Sequence, residues 1–145
     1  MKVCIAYESK YGNGQKCVEH LKDVISNKGH AVDLFSVRDV KPNELLQADI
    51  YVFSARTQMG SPARKMKKFL KKINITKEGA KYALITTHSS DTTEVLEKME
   101  KLLQPTGMTK ITDGLKIKVT GMKGPLEDSY EEKLEVFAND ILGSG

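Results

Sequence analysis

The chain has 145 residues, of which 39% are hydrophobic and 29% are charged, a composition typical of a soluble globular protein and not of a disordered one. This length suits one domain over residues 1–145, with a core that needs no disulfide or structural metal. No apolar run is long enough to span a membrane, and no signal peptide precedes the first predicted strand, so we expect a cytoplasmic protein that binds no membrane.

The beginning of the chain predicts a strand, a loop and a helix. Residues 3–7 are almost continuously apolar, which indicates a strand covered on both faces in a parallel sheet. After the loop, apolar residues recur with the spacing of one helix face, at Cys17, Val18, Leu21, Val24 and Ile25. A loop from the carboxyl end of a parallel strand to a helix N-terminus exposes backbone N–H groups that suit a phosphate.

The loop itself, SKYGNG at residues 9–14, allows two interpretations. Gly12 and Gly14 let the backbone approach an anion or adopt a positive φ, and the Ser9 hydroxyl can donate a hydrogen bond. Alternatively, the glycines and Asn13 serve only an ordinary turn. The P-loop pattern and the dinucleotide fingerprint G-x-G-x-x-G are both missing, which disfavours two large nucleotide-binding classes.

The same loop resembles the phosphate loop of flavodoxins, [ST]-x-[ST]-G-x-[ST]. Ser9, Gly12 and Asn13 fit that pattern, whereas Tyr11 stands where Ser or Thr is usual and Gly14 replaces the last hydroxyl residue. The resemblance implies a noncovalent FMN with its phosphate at the N-terminus of the first helix. The cofactor-binding residues that it implies in this loop are Ser9, Lys10, Tyr11, Gly12, Asn13 and Gly14.

Two further strands are predicted at residues 31–36 and 48–54, and a polar connection follows at 55–62. This connection ends in Ser61-Pro62, which predicts an N-cap and then proline at the first position of a helix that runs to Lys72. In flavodoxins the corresponding loop packs against the flavin ring, and a glycine peptide there can bond to the flavin N5. Met59-Gly60 is similar to the Met-Gly of some short flavodoxins. The resemblance therefore implies cofactor contacts at Ala55, Arg56, Thr57, Gln58, Met59 and Gly60.

The helix after this loop is crowded with basic residues, at Arg64, Lys65, Lys67, Lys68, Lys71 and Lys72. One interpretation is a docking face for an acidic partner or for nucleic acid, and the other is an ordinary solvated helix face. The chain has no Trp, and no aromatic residues alternate with these cations. We therefore expect no nucleic-acid partner.

Residues 81–87 predict the fourth strand, and 92–104 the helix after it. The resemblance places the other wall of the flavin site between them, at Thr87, His88, Ser89 and Ser90. His88 is expected either to contact the flavin or to be a solvated residue at the helix start. Residues 114–119 predict the fifth strand and 127–142 the last helix, whose sequence also resembles that of short flavodoxins.

Five strands that alternate with helices predict an α/β three-layer sandwich with a five-stranded parallel sheet. The flavodoxin-like order is 2-1-3-4-5, and its ligand crevice lies outside the carboxyl ends of strands one and three. Both of the loops that follow those strands fall at this crevice. Cys4 and Cys17 lack C-x-x-C spacing and are expected to be buried, reduced thiols, and no metal site is expected.

The function implied by the resemblance is an FMN-binding carrier that shuttles electrons between redox partner proteins. The net charge of +4 departs from the acidic surfaces typical of flavodoxins and suggests acidic partners. Two alternatives stay open: a flavin-dependent quinone or porphyrinogen dehydrogenase, and a flavin-free interaction domain of the same fold. No catalytic residue is assigned, and both a monomer and a homodimer are compatible with the sequence.

Overall fold

A computed structural model describes residues 1–89, 94–121 and 123–143. Four helices cover the two faces of one sheet, so the chain has the three layers that the sequence predicts. The elements in chain order are β1 (Lys2–Tyr7), α1 (Asn13–Asn27), β2 (Ala31–Ser36), β3 (Ile50–Gln58), β4 (Ser61–Pro62), α2 (Arg64–Lys72), β5 (Lys81–His88), α3 (Glu94–Leu103), β6 (Thr109–Lys110), β7 (Leu115–Lys118) and α4 (Tyr130–Leu142).

The sheet has the strand order β2-β1-β3-β5, and both β6 and β7 pair with the outer edge of β5. All of these pairings are parallel. The predicted order 2-1-3-4-5 is thus confirmed, with the fifth position shared by two short strands. Residues 111–114 separate β6 from β7, whereas their partners on β5 are separated only by Ala83 and Leu84. The extra residues interrupt the edge strand.

Hydrophobic side chains lie on both faces of the central strands, which explains why these strands are apolar at nearly every position. On β1, Val3 and Ile5 pack in the layer of α1 and α4, while Cys4 and Ala6 pack in the layer of α2 and α3. Both cysteines are buried free thiols, as predicted. Burial raises the pKa of Cys4 to about 12 and that of Cys17 to about 12.

The predicted start of the second helix is wrong. Ser61 and Pro62 are not its N-cap and first residue but form β4, which runs antiparallel to the end of β3. The reason is that β3 does not end at Ser54 and continues to Gln58. The chain then reverses, Pro62 pairs with Thr57, and α2 starts only at Arg64.

The last helix is also shorter than predicted, because α4 begins at Tyr130 and not at residue 127. Leu126 is buried, as expected for the predicted helix face, but it forms an isolated antiparallel bridge with Val119. The start of the helix predicted at 92–104 lies outside the described residues. No helix in the described part of the chain is long and apolar enough to cross a membrane.

Candidate cofactor-binding site

A cleft of about 390 Å³ opens at the carboxyl edge of the sheet, within the size range of cofactor sites. Four chain segments contribute to it: the β1–α1 loop, the end of β3 with its turn, the end of β5, and the segment after β7. The residues that line it are Ser9, Lys10, Tyr11, Asn13, Gly14, Arg56, Thr57, Gln58, Met59, Thr87, His88, Ser89, Val119 and Gly121.

Most of the candidate residues named from the sequence lie together in this cleft. Gly12, Ala55 and Gly60 are outside its lining, and Ser90 lies outside the described residues. Ala55 is 1% exposed and packs in the core beneath α2 and α3. Sequence reasoning missed Val119 and Gly121. Both follow a strand that ends at the same edge of the sheet, so the topological rule used for the other loops could have found them.

The β1–α1 loop presents backbone donors to the cleft. Gly12 adopts φ +91° as the N-cap of α1, and its N–H donates to the Ser9 hydroxyl over 3.2 Å. The helical ladder begins with Lys16, whose N–H donates to the Gly12 carbonyl over 3.0 Å. Within the described residues, the N–H groups of Asn13, Gly14 and Gln15 donate to no side chain and to no carbonyl outside the helix. They are the donors that the start of a helix leaves open to an anion.

The two glycines of this loop serve different purposes. A Cβ at Gly12 would meet nothing within 4 Å, so glycine is needed there for the positive φ and not for space. A Cβ at Gly14 would lie 3.4 Å from the Glu8 carbonyl oxygen and 3.6 Å from the Ser9 hydroxyl. A small side chain therefore fits at Gly14 and would stand next to the open N–H groups.

The charge of the cleft lining is positive. Its residues include the cations Lys10 and Arg56, and none of those described is an aspartate or a glutamate. The Lys10 ammonium lies 5.4 Å from the ring centroid of Tyr11, an arrangement that a cation–π attraction favours. A ligand with a negatively charged group suits this lining.

A buried carboxylate holds Arg56 at the cleft wall. Glu8, the residue after β1, is 1% exposed, and its Oε2 accepts hydrogen bonds from Arg56 Nε at 3.3 Å and from Arg38 Nη2 at 3.0 Å. The two arginines are partly exposed, at 25% and 35%. Two cations against one buried anion leave this cluster with a net positive charge. Its geometry fixes the guanidinium of Arg56 beside the cleft.

The β1–α1 loop is the first wall of the cleft, and the second wall is a hairpin of β3 and β4 with a two-residue turn. Met59 and Gly60 have φ values of +50° and +77°, the signs of a type I′ turn. Lys98 of α3 donates to the Gly60 carbonyl and to the Ser61 hydroxyl, both over 3.0 Å. The Gly60 carbonyl is therefore engaged, while the Met59 side chain at the tip is 99% exposed.

The third wall is the end of β5. The Thr86 and Thr57 hydroxyls are 2.9 Å apart and connect β5 to β3 next to the cleft. His88 is the last residue of β5 and is only 8% exposed, so its interpretation as a solvated residue at a helix start is wrong. The His88 carbonyl accepts the Val119 N–H over 2.7 Å, which joins the third wall to the segment after β7.

Comparison with known proteins agrees with this geometry. A sequence model of the flavodoxin family matches residues 5–132. The chain belongs to the flavodoxin family. The match confirms the predicted family and FMN as the cofactor. The three-layer architecture confirms the predicted fold class. No curated protein matches the sequence.

Solved flavodoxins have the same fold at low sequence identity. Oxidised flavodoxin 2 from Bacillus cereus is 24% identical to this chain, with a TM-score of 0.84 and coverage of 100% of both chains. An archaeal flavodoxin is 23% identical, with a TM-score of 0.82 over 99% of this chain and 98% of that one. Rubredoxin:oxygen oxidoreductase from Desulfovibrio gigas is 16% identical, with a TM-score of 0.80 over 99% of this chain but 35% of that one.

FMN suits the residues of this family member's cleft. Its dianionic phosphate needs N–H donors and cations, and the cleft offers three open N–H groups at the start of α1 and the side chain of Lys10. Its ring system needs two walls, which the Met59-Gly60 hairpin and the His88-Ser89 segment can supply. The altered positions Tyr11 and Gly14 leave these backbone donors in place.

Proposed function

We propose that the protein is an electron carrier that holds FMN in this cleft and passes electrons between redox partner proteins. The observation that carries the proposal is the set of open N–H groups at Asn13, Gly14 and Gln15, beside a cleft whose described lining is cationic. These N–H groups bind the phosphate, and Lys10 adds a positive charge. Membership of the flavodoxin family, whose cofactor is FMN, also speaks against the flavin-free interaction domain.

The ring system lies between the second and third walls in this proposal. The Gly60 carbonyl is already bonded to Lys98, so we assign the contact with the flavin N5 to the peptide group between Met59 and Gly60. His88 and Ser89 border the opposite side. FMN supplies the one- and two-electron chemistry, and these residues position it and exclude water from part of its surface.

Arg56 adds a fixed charge to the cleft wall. Because Arg56 Nε donates a hydrogen bond to the buried Glu8 carboxylate, the charge cannot easily swing into solvent. A positive charge near the ring favours the reduced, anionic flavin over the oxidised, neutral one. Arg56 therefore raises the reduction potential of the bound FMN in this proposal.

Membership of the flavodoxin family supports a carrier over a turnover enzyme. Two flavodoxins of known structure align with this chain over nearly their whole length, whereas the fold is about a third of the rubredoxin:oxygen oxidoreductase chain. A flavin-dependent quinone or porphyrinogen dehydrogenase would need a substrate pocket next to the ring. We place the carrier in the cytoplasm, since two free buried cysteines suit a reducing compartment.

Three variants of one residue test the phosphate site. Gly14→Ser adds a hydroxyl beside the open N–H groups, Gly14→Ala adds the same Cβ without a hydroxyl, and Gly14→Asp adds a carboxylate. We expect Gly14→Ser to bind FMN about threefold to tenfold more tightly than Gly14→Ala, the gain of one good hydrogen bond. Gly14→Asp should weaken FMN binding at least about tenfold, because a carboxylate repels the phosphate. Acidic residues suit a helix N-terminus, so this loss would not come from unfolding.

The measurement is fluorescence titration of the apoprotein with FMN and with riboflavin, which lacks the phosphate. Riboflavin affinity should differ little among the three variants. A visible spectrum of the purified protein with no flavin bands, together with no binding of added FMN, would refute the proposed function. Equal effects of the variants on FMN and riboflavin would refute the phosphate assignment. Steady-state reduction of a quinone by a nicotinamide donor would favour the dehydrogenase alternative.

A further inference from the structure

The net positive charge of the protein comes from helix α2. Its nine residues, RKMKKFLKK, include six cations and no acid. The chain has 23 basic and 19 acidic residues, so 17 basic and 19 acidic residues remain outside α2. Within the part of the chain that the structure describes, none of the α2 cations forms an ion pair. The exposed ones are Arg64, Lys65, Lys68, Lys71 and Lys72.

Two of these cations lie where they lower the stability of the helix. Arg64 and Lys65 occupy the first turn of α2, at the positive end of its dipole, where acidic residues are stabilising. The first turns of α3 and α4 each contain two glutamates. Local helix stability therefore does not explain the cations at the start of α2, and residues that break a local rule point to a functional demand.

The surface of α2 that faces solvent is almost purely cationic. Met66, Phe69 and Leu70 form its apolar face and are at most 3% exposed, because they pack against the sheet. The helix therefore has no apolar face left to insert into a membrane. On the opposite face of the sheet, α4 has four acidic residues and one lysine. The charge of the molecule is thus polarised across the sheet, which orients a charged partner as it approaches.

The start of α2 is continuous with the cleft. The Ala63 N–H, one residue before the helix, donates to the carbonyl of the cleft residue Arg56 over 3.0 Å. Pro62 pairs with Thr57, another cleft residue. The fully exposed Met59 stands at the tip of the same hairpin. An apolar contact point beside charged side chains is the usual composition of a transient docking site.

We infer that an acidic electron-transfer protein docks on the surface formed by the first turn of α2 and the tip of the β3–β4 hairpin. This inference rests on the proposed function, because the surface borders the cleft assigned to FMN. Charge complementarity selects the partner: carboxylates around its own redox centre pair with Arg64 and Lys65, and an apolar residue contacts Met59. The exposed face of α2 has no aromatic side chain for stacking on bases, so the surface is poorly suited to single-stranded nucleic acid.

The test is an NMR titration of the ¹⁵N-labelled full chain, with FMN added, using a plant-type [2Fe–2S] ferredoxin as the acidic probe. We expect the amide signals of residues 58–68 to change most and the affinity to fall as salt is added. Arg64→Glu/Lys65→Glu should weaken binding about tenfold at low ionic strength. The matched control is Lys22→Glu/Lys28→Glu, which makes the same change in net charge on α1 and at the residue that caps its C-terminus, on the other side of the sheet. It should weaken binding much less.

The outcomes separate this inference from the proposed function. Glutamate suits the first turn of α2, so the first variant should fold, and both variants should show the FMN spectrum of the unmodified protein. If the unmodified protein binds no FMN, the proposed function fails. The NMR titration of the apoprotein with ferredoxin then still shows whether the acidic partner docks on this surface. Equal weakening in both variants, signal changes centred on α4, or no binding would overturn the docking surface. Tighter binding of a DNA duplex or of anionic phospholipid vesicles at α2 would overturn it as well.

Discussion

Replacement of Met59 by asparagine tests both the turn and its purpose. Met59 has φ +50° in a two-residue turn, and the left-handed region costs a non-glycine residue about 1–2 kcal/mol. Asparagine tolerates this region because its side chain bonds locally, and Asn-Gly is the preferred pair of a type I′ turn. The methionine side chain is 99% exposed, so its removal sacrifices almost no burial. Met59→Asn should therefore raise the free energy of unfolding by about 0.5–1 kcal/mol.

Urea unfolding of the apoprotein, followed by circular dichroism, measures this gain. Leu46→Asn is the control, because Leu46 is also an exposed apolar residue, at 47%, but has no positive φ. It should be neutral or slightly destabilising. If Met59→Asn lowers the stability instead, the turn does not have the proposed geometry or the methionine packs on a neighbour. A stabilised variant that docks ferredoxin less tightly would show that the methionine is retained at a cost in stability.

Further predictions concern glycine, pH and thiol reactivity. Gly60→Ala and Gly79→Ala should each cost about 1–2 kcal/mol in urea unfolding, because both glycines have φ near +78° and an added Cβ meets nothing. Only Gly60→Ala should weaken FMN binding; equal weakening would contradict the hairpin's place in the site. For Glu127, burial would raise the carboxyl pKa, but hydrogen bonds from the side chain of Lys133 and from a backbone N–H and a serine hydroxyl lower it to about 2. The lowered pKa contributes at most about 3 kcal/mol to the free energy of unfolding, and solvent screening of this partly exposed group reduces that value. The contribution should be complete above pH 4.5 and lost as pH falls toward 2, and Glu127→Gln should lack this loss in unfolding measured against pH. The buried cysteines, with pKa values raised to about 12, should react with a disulfide reagent only after unfolding.

The central strands could be predicted because their signal is local. A run of apolar residues such as 3–7 needs two covered faces, and the structure provides them. The same signal misplaced the end of β3. Residues 56–58 are polar and thus resemble a loop, but they belong to the strand and line the cleft. Polar residues in a strand can therefore mark a binding site. When they are interpreted as the end of the strand, the start of the following helix is misplaced as well.

The candidate site was predictable where topology decides it and not where distant side chains meet. The loops after β1, β3 and β5 must meet at one edge of a parallel sheet, so their residues could be named from element order. The contacts of Glu8 could not be predicted from element order. Its partners Arg38 and Arg56 are 30 and 48 residues away in the sequence, and no local pattern pairs them. The sequence shows an acid directly after the first strand, but it does not show that this acid is buried between two cations.

The departures from the flavodoxin loop pattern concern side chains, whereas the anion site is made mainly by the backbone. Tyr11 and Gly14 change two positions where hydroxyls are usual, but the N–H groups at the start of α1 depend only on the helix and on the positive φ of Gly12. A helix N-terminus attracts an anion whatever its side chains are. The lost hydroxyls should therefore weaken FMN binding without abolishing it, and Lys10, together with the cluster that restrains Arg56, offsets part of that loss with positive charge.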